Sequence, residues 1–108
     1  MAVEDGTVTV SAPMYGYEFP VSDIQSVRLE ETLPVSGMRT NGASTDQYDL
    51  GNFSIPGYGA VKAYIYKQHP PFLVIELPDL YVMLNSKSPE GTEEYYEELL
   101  EAIGMQVP

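Results

Sequence analysis

The sequence predicts a mainly β domain with one C-terminal α-helix, and three observations carry that expectation. Short runs alternate apolar and polar residues, the period of two that a half-buried strand requires. Turn residues separate the runs, at Pro13, Pro20, Pro56-Gly57, Pro70-Pro71 and Pro78-Asp79. Residues 88–103 instead space their apolar side chains three and four apart, which places them on one helical face.

The first strand is predicted over residues 7–12, where Val8, Val10 and Ala12 alternate with Thr7, Thr9 and Ser11 until Pro13 ends it. Residues 14–19 alternate Tyr15, Tyr17 and Phe19 and stop at Pro20, giving a second strand in a hairpin with the first. After a turn at 21–23, residues 24–32 set Val27 and Leu29 against Arg28 and Glu30 as a third strand. Periodicity lapses over residues 33–47, which read as a loop of about fifteen residues, longer than ordinary connections and therefore functional or mobile. Within it Asn41-Gly42 is a tight-turn signal. Alternation resumes over 48–55 through Tyr48, Leu50, Phe53 and Ile55, with a bulge expected at Gly51-Asn52. In residues 59–67, Val61, Ala63 and Ile65 face one way and Lys62, Tyr64 and Tyr66 the other, a strand with one wet aromatic side. Residues 72–77 are nearly continuously apolar and read as the most buried strand, followed by a last one over 80–84.

The helix has signals at both ends. Ser88 suits the N-cap, Pro89 the first helical position, and Gly104 a left-handed stop. Tyr96, Leu99, Leu100 and Ile103 form its apolar face, while Glu90, Glu93, Glu94, Glu97, Glu98 and Glu101 cover the other. Like charges four apart cost ~0.2 to 0.5 kcal/mol per pair. Burial returns at most ~1.5 to 3 kcal/mol per large side chain, so this helix is expected only when docked. Seven short strands plus this helix predict an antiparallel sheet curled into a partly closed barrel or orthogonal sandwich, with the helix over one open end. No helix lies between strands, which argues against βαβ units.

The 108 residues suit a single domain over 1–108 with its core at 7–103. Cysteine is absent, so disulfides and thiolate metal sites are excluded. Five basic against sixteen acidic residues give a net charge of -11, which opposes binding to nucleic acid and to anionic lipid. Residues 1–6 are acidic and lack the apolar segment of a signal peptide, no stretch suits a membrane span, and a cytoplasmic location is expected.

His69 is the only histidine, so histidine-based catalysis would have to run through it, yet Gln68-His69-Pro70-Pro71 reads as a turn tip. No nucleophile elbow, phosphate-cradling glycine loop or calcium-loop spacing occurs, and the helix carboxylates recur at spacings that keep them on a solvated face. No enzyme activity, metal or cofactor is expected.

Several short pieces carry a family resemblance. Met14-Tyr15-Gly16-Tyr17-Glu18-Phe19-Pro20, Asp23-Ile24, Arg39-Thr40-Asn41-Gly42, Leu50-Gly51-Asn52-Phe53, Gly57-Tyr58-Gly59 and Leu84-Asn85-Ser86, followed by residues 92–96, resemble the bacterial pleckstrin-homology-like domains. The resemblance spans about residues 7–103. It implies seven antiparallel strands capped by a helix, and no activity. Family members are commonly domains of unknown function, some attached to membrane-spanning segments, so the chain is expected to be free-standing or the soluble part of a tethered protein. Eukaryotic relatives that bind phosphoinositides use Lys and Arg around the loop between the first two strands. Here that loop, residues 11–15, has no basic residue.

Function is therefore expected to be that of a non-catalytic protein-interaction module. The residues singled out for binding are Arg39, Thr40, Asn41 and Gly42 in the long loop, with Tyr64 and Tyr66 as aromatic anchors from a chain of nine tyrosines and no tryptophan. Two alternatives stand beside it: a homo-oligomerising scaffold that pairs through an edge strand or the tyrosine face, and a small ligand-binding or hydrolytic pocket that holds His69 beside a carboxylate.

Overall fold

A computed structural model describes residues 1–33 and 38–106. Its first strand was not expected. Ala2–Glu4 (β1) pairs antiparallel with Thr7–Val10 (β2) across Asp5-Gly6, both at positive φ (50° and 76°), the backbone a two-residue hairpin requires. Tyr17–Pro20 (β3) pairs with the other edge of β2, completing a three-stranded sheet. A 3-10 turn at Val21–Asp23 leads to Ser26–Glu30 (β4), and Met38–Ser44 (β5) follows.

β5 corrects the long loop expected over 33–47. Residues 34–37 of that stretch lie outside the described residues, but Asn41-Gly42 is within a strand rather than at a turn. The hairpin turns instead at Thr45, whose hydroxyl accepts the N–H groups of Gln47 and Tyr48 at 3.0 and 3.1 Å, before Tyr48–Ile55 (β6) returns. Small and polar residues hide β5 from a periodicity test, because pairing with β6 rather than an apolar face makes it a strand. A bulge between Arg39 and Asn41 shifts its register. Gly42 opposes Gly51 with φ of 147°, and a Cβ there would stand 2.2 Å from the Leu50 carbonyl oxygen. Only glycine allows that approach.

Gly59–Tyr66 (β7), Phe72–Glu76 (β8) and Tyr81–Leu84 (β9) complete a six-stranded sheet in the order β4-β8-β9-β7-β6-β5. The described residues thus form nine strands in two sheets, where seven were expected, and among them the sheets do not close into a barrel. β9 does not lie outside β8 as a meander would place it. It inserts between β8 and β7, and its pairing with β7 is parallel, against the expectation of antiparallel neighbours throughout.

Asn85 explains how the inserted strand is held. Buried at 5% exposure, it accepts the Tyr66 N–H at 2.7 Å through Oδ1 and donates from Nδ2 to the carbonyls of Tyr66 and His69, both at 2.9 Å. Its own N–H donates to the Tyr64 carbonyl at 3.2 Å. The side-chain amide acts as one more peptide unit, joining the ends of β7 and β9 to the turn that leads into β8.

Both faces of the larger sheet are covered. On one, Leu73, Ile75, Val82, Leu84 and Tyr64 meet Val8, Val10 and Phe19 of the small sheet and Leu99 of the helix Pro89–Gln106 (α1). On the other, Val61, Ala63, Ile65, Phe72, Val74 and Met83 are packed by side chains of the same sheet and its connections, among them Phe53, Tyr58 and Tyr81. β8 is buried from both sides, as its continuous apolar run predicts.

The Ser88 hydroxyl caps α1 by accepting the Gly91 N–H at 3.0 Å, and the fully buried Thr92 accepts the Ser86 N–H at 2.8 Å. Gly104 does not stop the helix, which continues through Gln106. Leu100, expected in the apolar face, is 45% exposed, and Thr92, Tyr95, Tyr96, Leu99, Ala102 and Ile103 make the buried side.

Two sets of substitutions test this frame. Asn85→Ala removes the partners of two carbonyls and one N–H, each worth about 1 to 3 kcal/mol when buried and unpaired. The expected fall in Tm is at least about 10 °C, and a shift of only a few degrees in a circular-dichroism melt would remove Asn85 from this role. Gly42→Ala is expected to lower the urea midpoint by forcing β5 from β6. Gly104→Ala, which meets open space inside a helix, is expected to add about 0.5 to 1 kcal/mol.

Candidate functional site

The two sheets and the helix leave a cleft of about 340 Å3 beyond the end of their shared core. β6 supplies Tyr48, Asp49 and Leu50, β7 supplies Tyr64 and Tyr66, β9 supplies Leu84, and the helix supplies Tyr95. Met1 and residues 11–13, at the exit of β2, close the opposite wall. The strand register builds this aromatic wall, because Tyr48 is the cross-strand partner of Tyr66 and Leu50 that of Tyr64.

The two tyrosines predicted as anchors play different parts. Tyr64 is 9% exposed and belongs to the main core, where its hydroxyl donates to the Tyr15 carbonyl. Its face was expected to be wet, but the small sheet covers it. Burial, with the nearby Tyr17 phenol second, pushes the Tyr64 hydroxyl up to about 12 from the ordinary 10.0. Tyr66 is 40% exposed at the mouth of the cleft, with the Lys87 ammonium 5.2 Å from its ring centroid. Lys62, predicted beside them, lies over the Tyr17 ring at 4.7 Å and donates to Asn52 Oδ1 at 2.9 Å.

The other predicted residues lie apart from this cleft. Arg39 registers with Phe53 and Asn41 with Asn52, at the far end of β6 from Tyr48, and Thr40 sits at the bulge between them. The side chains of Arg39, Thr40 and Asn41 are outside the described part of the structure. Gly42 serves the close approach of β5 to β6. The cleft residues that sequence reasoning missed are Tyr48, Leu50 and Tyr95. Register and helix orientation select them, and no local pattern marks them.

A second cavity, of about 360 Å3, opens on the other face of the large sheet beside Phe53, Ile55, Phe72 and Met83. At one end of it Lys67 reaches Asp49 at 3.4 Å and the Thr45 carbonyl at 2.7 Å. His69 is exposed on the turn before β8, with Nδ1 3.0 Å from the Lys87 carbonyl oxygen, so it is not in a pocket beside a carboxylate. Among the described residues no cluster of His, Asp or Glu suits a metal ion, and no helix is long and apolar enough to cross a membrane.

Comparison with protein families finds a match over residues 1–103 to the family described as Bacterial PH domain. The chain belongs to that family. No curated protein and no solved structure matches it. In this bacterial PH domain the described residues form nine strands in two sheets and a C-terminal helix, with the tyrosine cleft beside them.

The Tyr64 hydroxyl gives the domain an alkaline pH dependence of defined sign. The folded state holds this proton more tightly than the unfolded chain, so its contribution is complete below pH 10 and is lost as pH rises through about 12. Urea midpoints are expected to fall between pH 9 and about 12, and Tyr64→Phe, less stable at pH 9, is expected to lose less over the same interval. Parallel curves for the two proteins would refute this assignment.

Proposed function

We propose that this bacterial PH domain is a non-catalytic protein-interaction module and that the tyrosine cleft is its principal contact surface. The observation that carries the reading is a mainly apolar cleft with a half-exposed phenol, Tyr66, at its mouth and Tyr48 and Tyr95 beside it. Tyrosines suit such surfaces because the ring buries apolar area while the hydroxyl keeps a polar partner. The edge of β5, carrying Arg39, Thr40 and Asn41, supports a second contact by strand addition, since no strand pairs with its outer side among the described residues.

Competing readings have less support. Self-association would bring together two chains of charge -11, which repel each other at long range. A phosphoinositide site would need cations near an anionic surface, each worth about 1 kcal/mol, and the connection at residues 11–16 has none. The exposed His69 gives a hydrolytic reading no general base in a cleft.

A photo-crosslinking residue placed at Tyr66, at Arg39 and at the exposed Asp79 as a control tests the proposal in cells that carry the gene natively. Adducts to another protein are expected at Tyr66 and not at Asp79. Adducts of twice the chain's own mass would indicate self-association, and no adduct at Tyr66 or Arg39 would sink the interaction reading.

A further inference from the structure

The charge pattern around the cleft narrows the partner. Four of the five basic residues have described side chains, and each is already engaged within the chain. Arg28 pairs with Glu30 at 2.7 Å, Lys62 with Asn52, Lys67 with Asp49, and Lys87 lies over Tyr66. The carboxylates have no such balance. Tyr95, which lines the cleft, stands at the border between the buried face of α1 and its acidic face. Glu98 is three residues further on, hence its neighbour on the helix surface, and Glu94 and Glu101 continue the row. All three glutamates are exposed, and none has a cationic partner among the described residues.

We propose, resting on the interaction reading above, that the tyrosine cleft takes a basic polypeptide segment. An aliphatic or aromatic side chain of that segment enters between Tyr48, Tyr66 and Tyr95, and Lys or Arg residues beside it face Glu94, Glu98 and Glu101. The apolar anchor supplies most of the affinity, while the charges supply encounter rate and selectivity against neutral and acidic sequences. Lys87, the cation at the cleft mouth, opposes such a partner and so reports the sign of its charge.

Selection of a random twelve-residue peptide display library on the immobilised 108-residue chain tests this directly. Enriched peptides are expected to carry at least two Lys or Arg beside an apolar or aromatic residue. For the tightest of them, made synthetically, Glu98→Lys is expected to weaken binding on the order of 3- to 10-fold and Lys87→Glu to tighten it by a similar factor. Both effects are expected to shrink as NaCl rises from about 50 to 500 mM. Both substituted residues are exposed, so the variants are expected to fold as the parent does.

Enrichment of neutral or acidic peptides, or opposite signs for the two substitutions, overturns the basic-partner proposal and leaves the interaction reading standing. Basic peptides that bind with no response to either substitution overturn the placement at this cleft. No enrichment, together with an adduct of only dimeric mass at Tyr66, overturns both.

Discussion

The insertion of β9 between β7 and β8 rests on backbone pairing with both neighbours, closed at its end by one buried side chain, and much of the architecture follows from that arrangement. Asn85 satisfies the backbone of Tyr66 and the carbonyl of His69 where regular pairing has ended. A buried amide with every hydrogen bond made rigidifies its surroundings, and the same amide with one bond missing destabilises them. The segment that leaves this joint passes through Ser86 and Ser88 into α1, and Thr92 ties the first helical turn back to Ser86. Leu99 then meets the core at zero exposure, and Tyr95 meets the cleft.

The covering of the large sheet on both faces separates the tyrosines by role. Strand periodicity places Tyr64 and Tyr66 on the same face of β7, yet the small sheet lies over Tyr64 and leaves Tyr66 at the margin. Their chemistry diverges as a result. Tyr64 is a core residue with a deeply held proton, whereas Tyr66 offers its ring to whatever approaches the cleft. The same margin brings Tyr48 and Tyr95 into place from two other elements, which is why the cleft reads as one surface in space and as scattered residues in the chain.

Electrostatics divides along the same helix border. The apolar arc of α1 is spent on the core, and six glutamates crowd the remaining arc, where solvent screens their repulsion. A net charge of -11 disfavours polyanions and further copies of the chain as partners, so the proposed partner combines apolar character with positive charge.

By itself the sequence determined the strands from residue 48 onward, the capped start of the helix at Ser88 and the mainly β class, because period, turn residues and capping are local properties. β1 was not expected, although the Asp5-Gly6 that joins it to β2 is a dipeptide that two-residue hairpins favour. Three things were decided only by tertiary structure. β5 became a strand through its pairing with β6 across Gly42 and Gly51, β9 took its parallel place through pairing with the distant β7, and Leu100 rather than Tyr95 was left to solvent where the helix docks. Each concerns which partner an element meets, and a residue's spacing along the chain specifies its face without specifying what will cover that face.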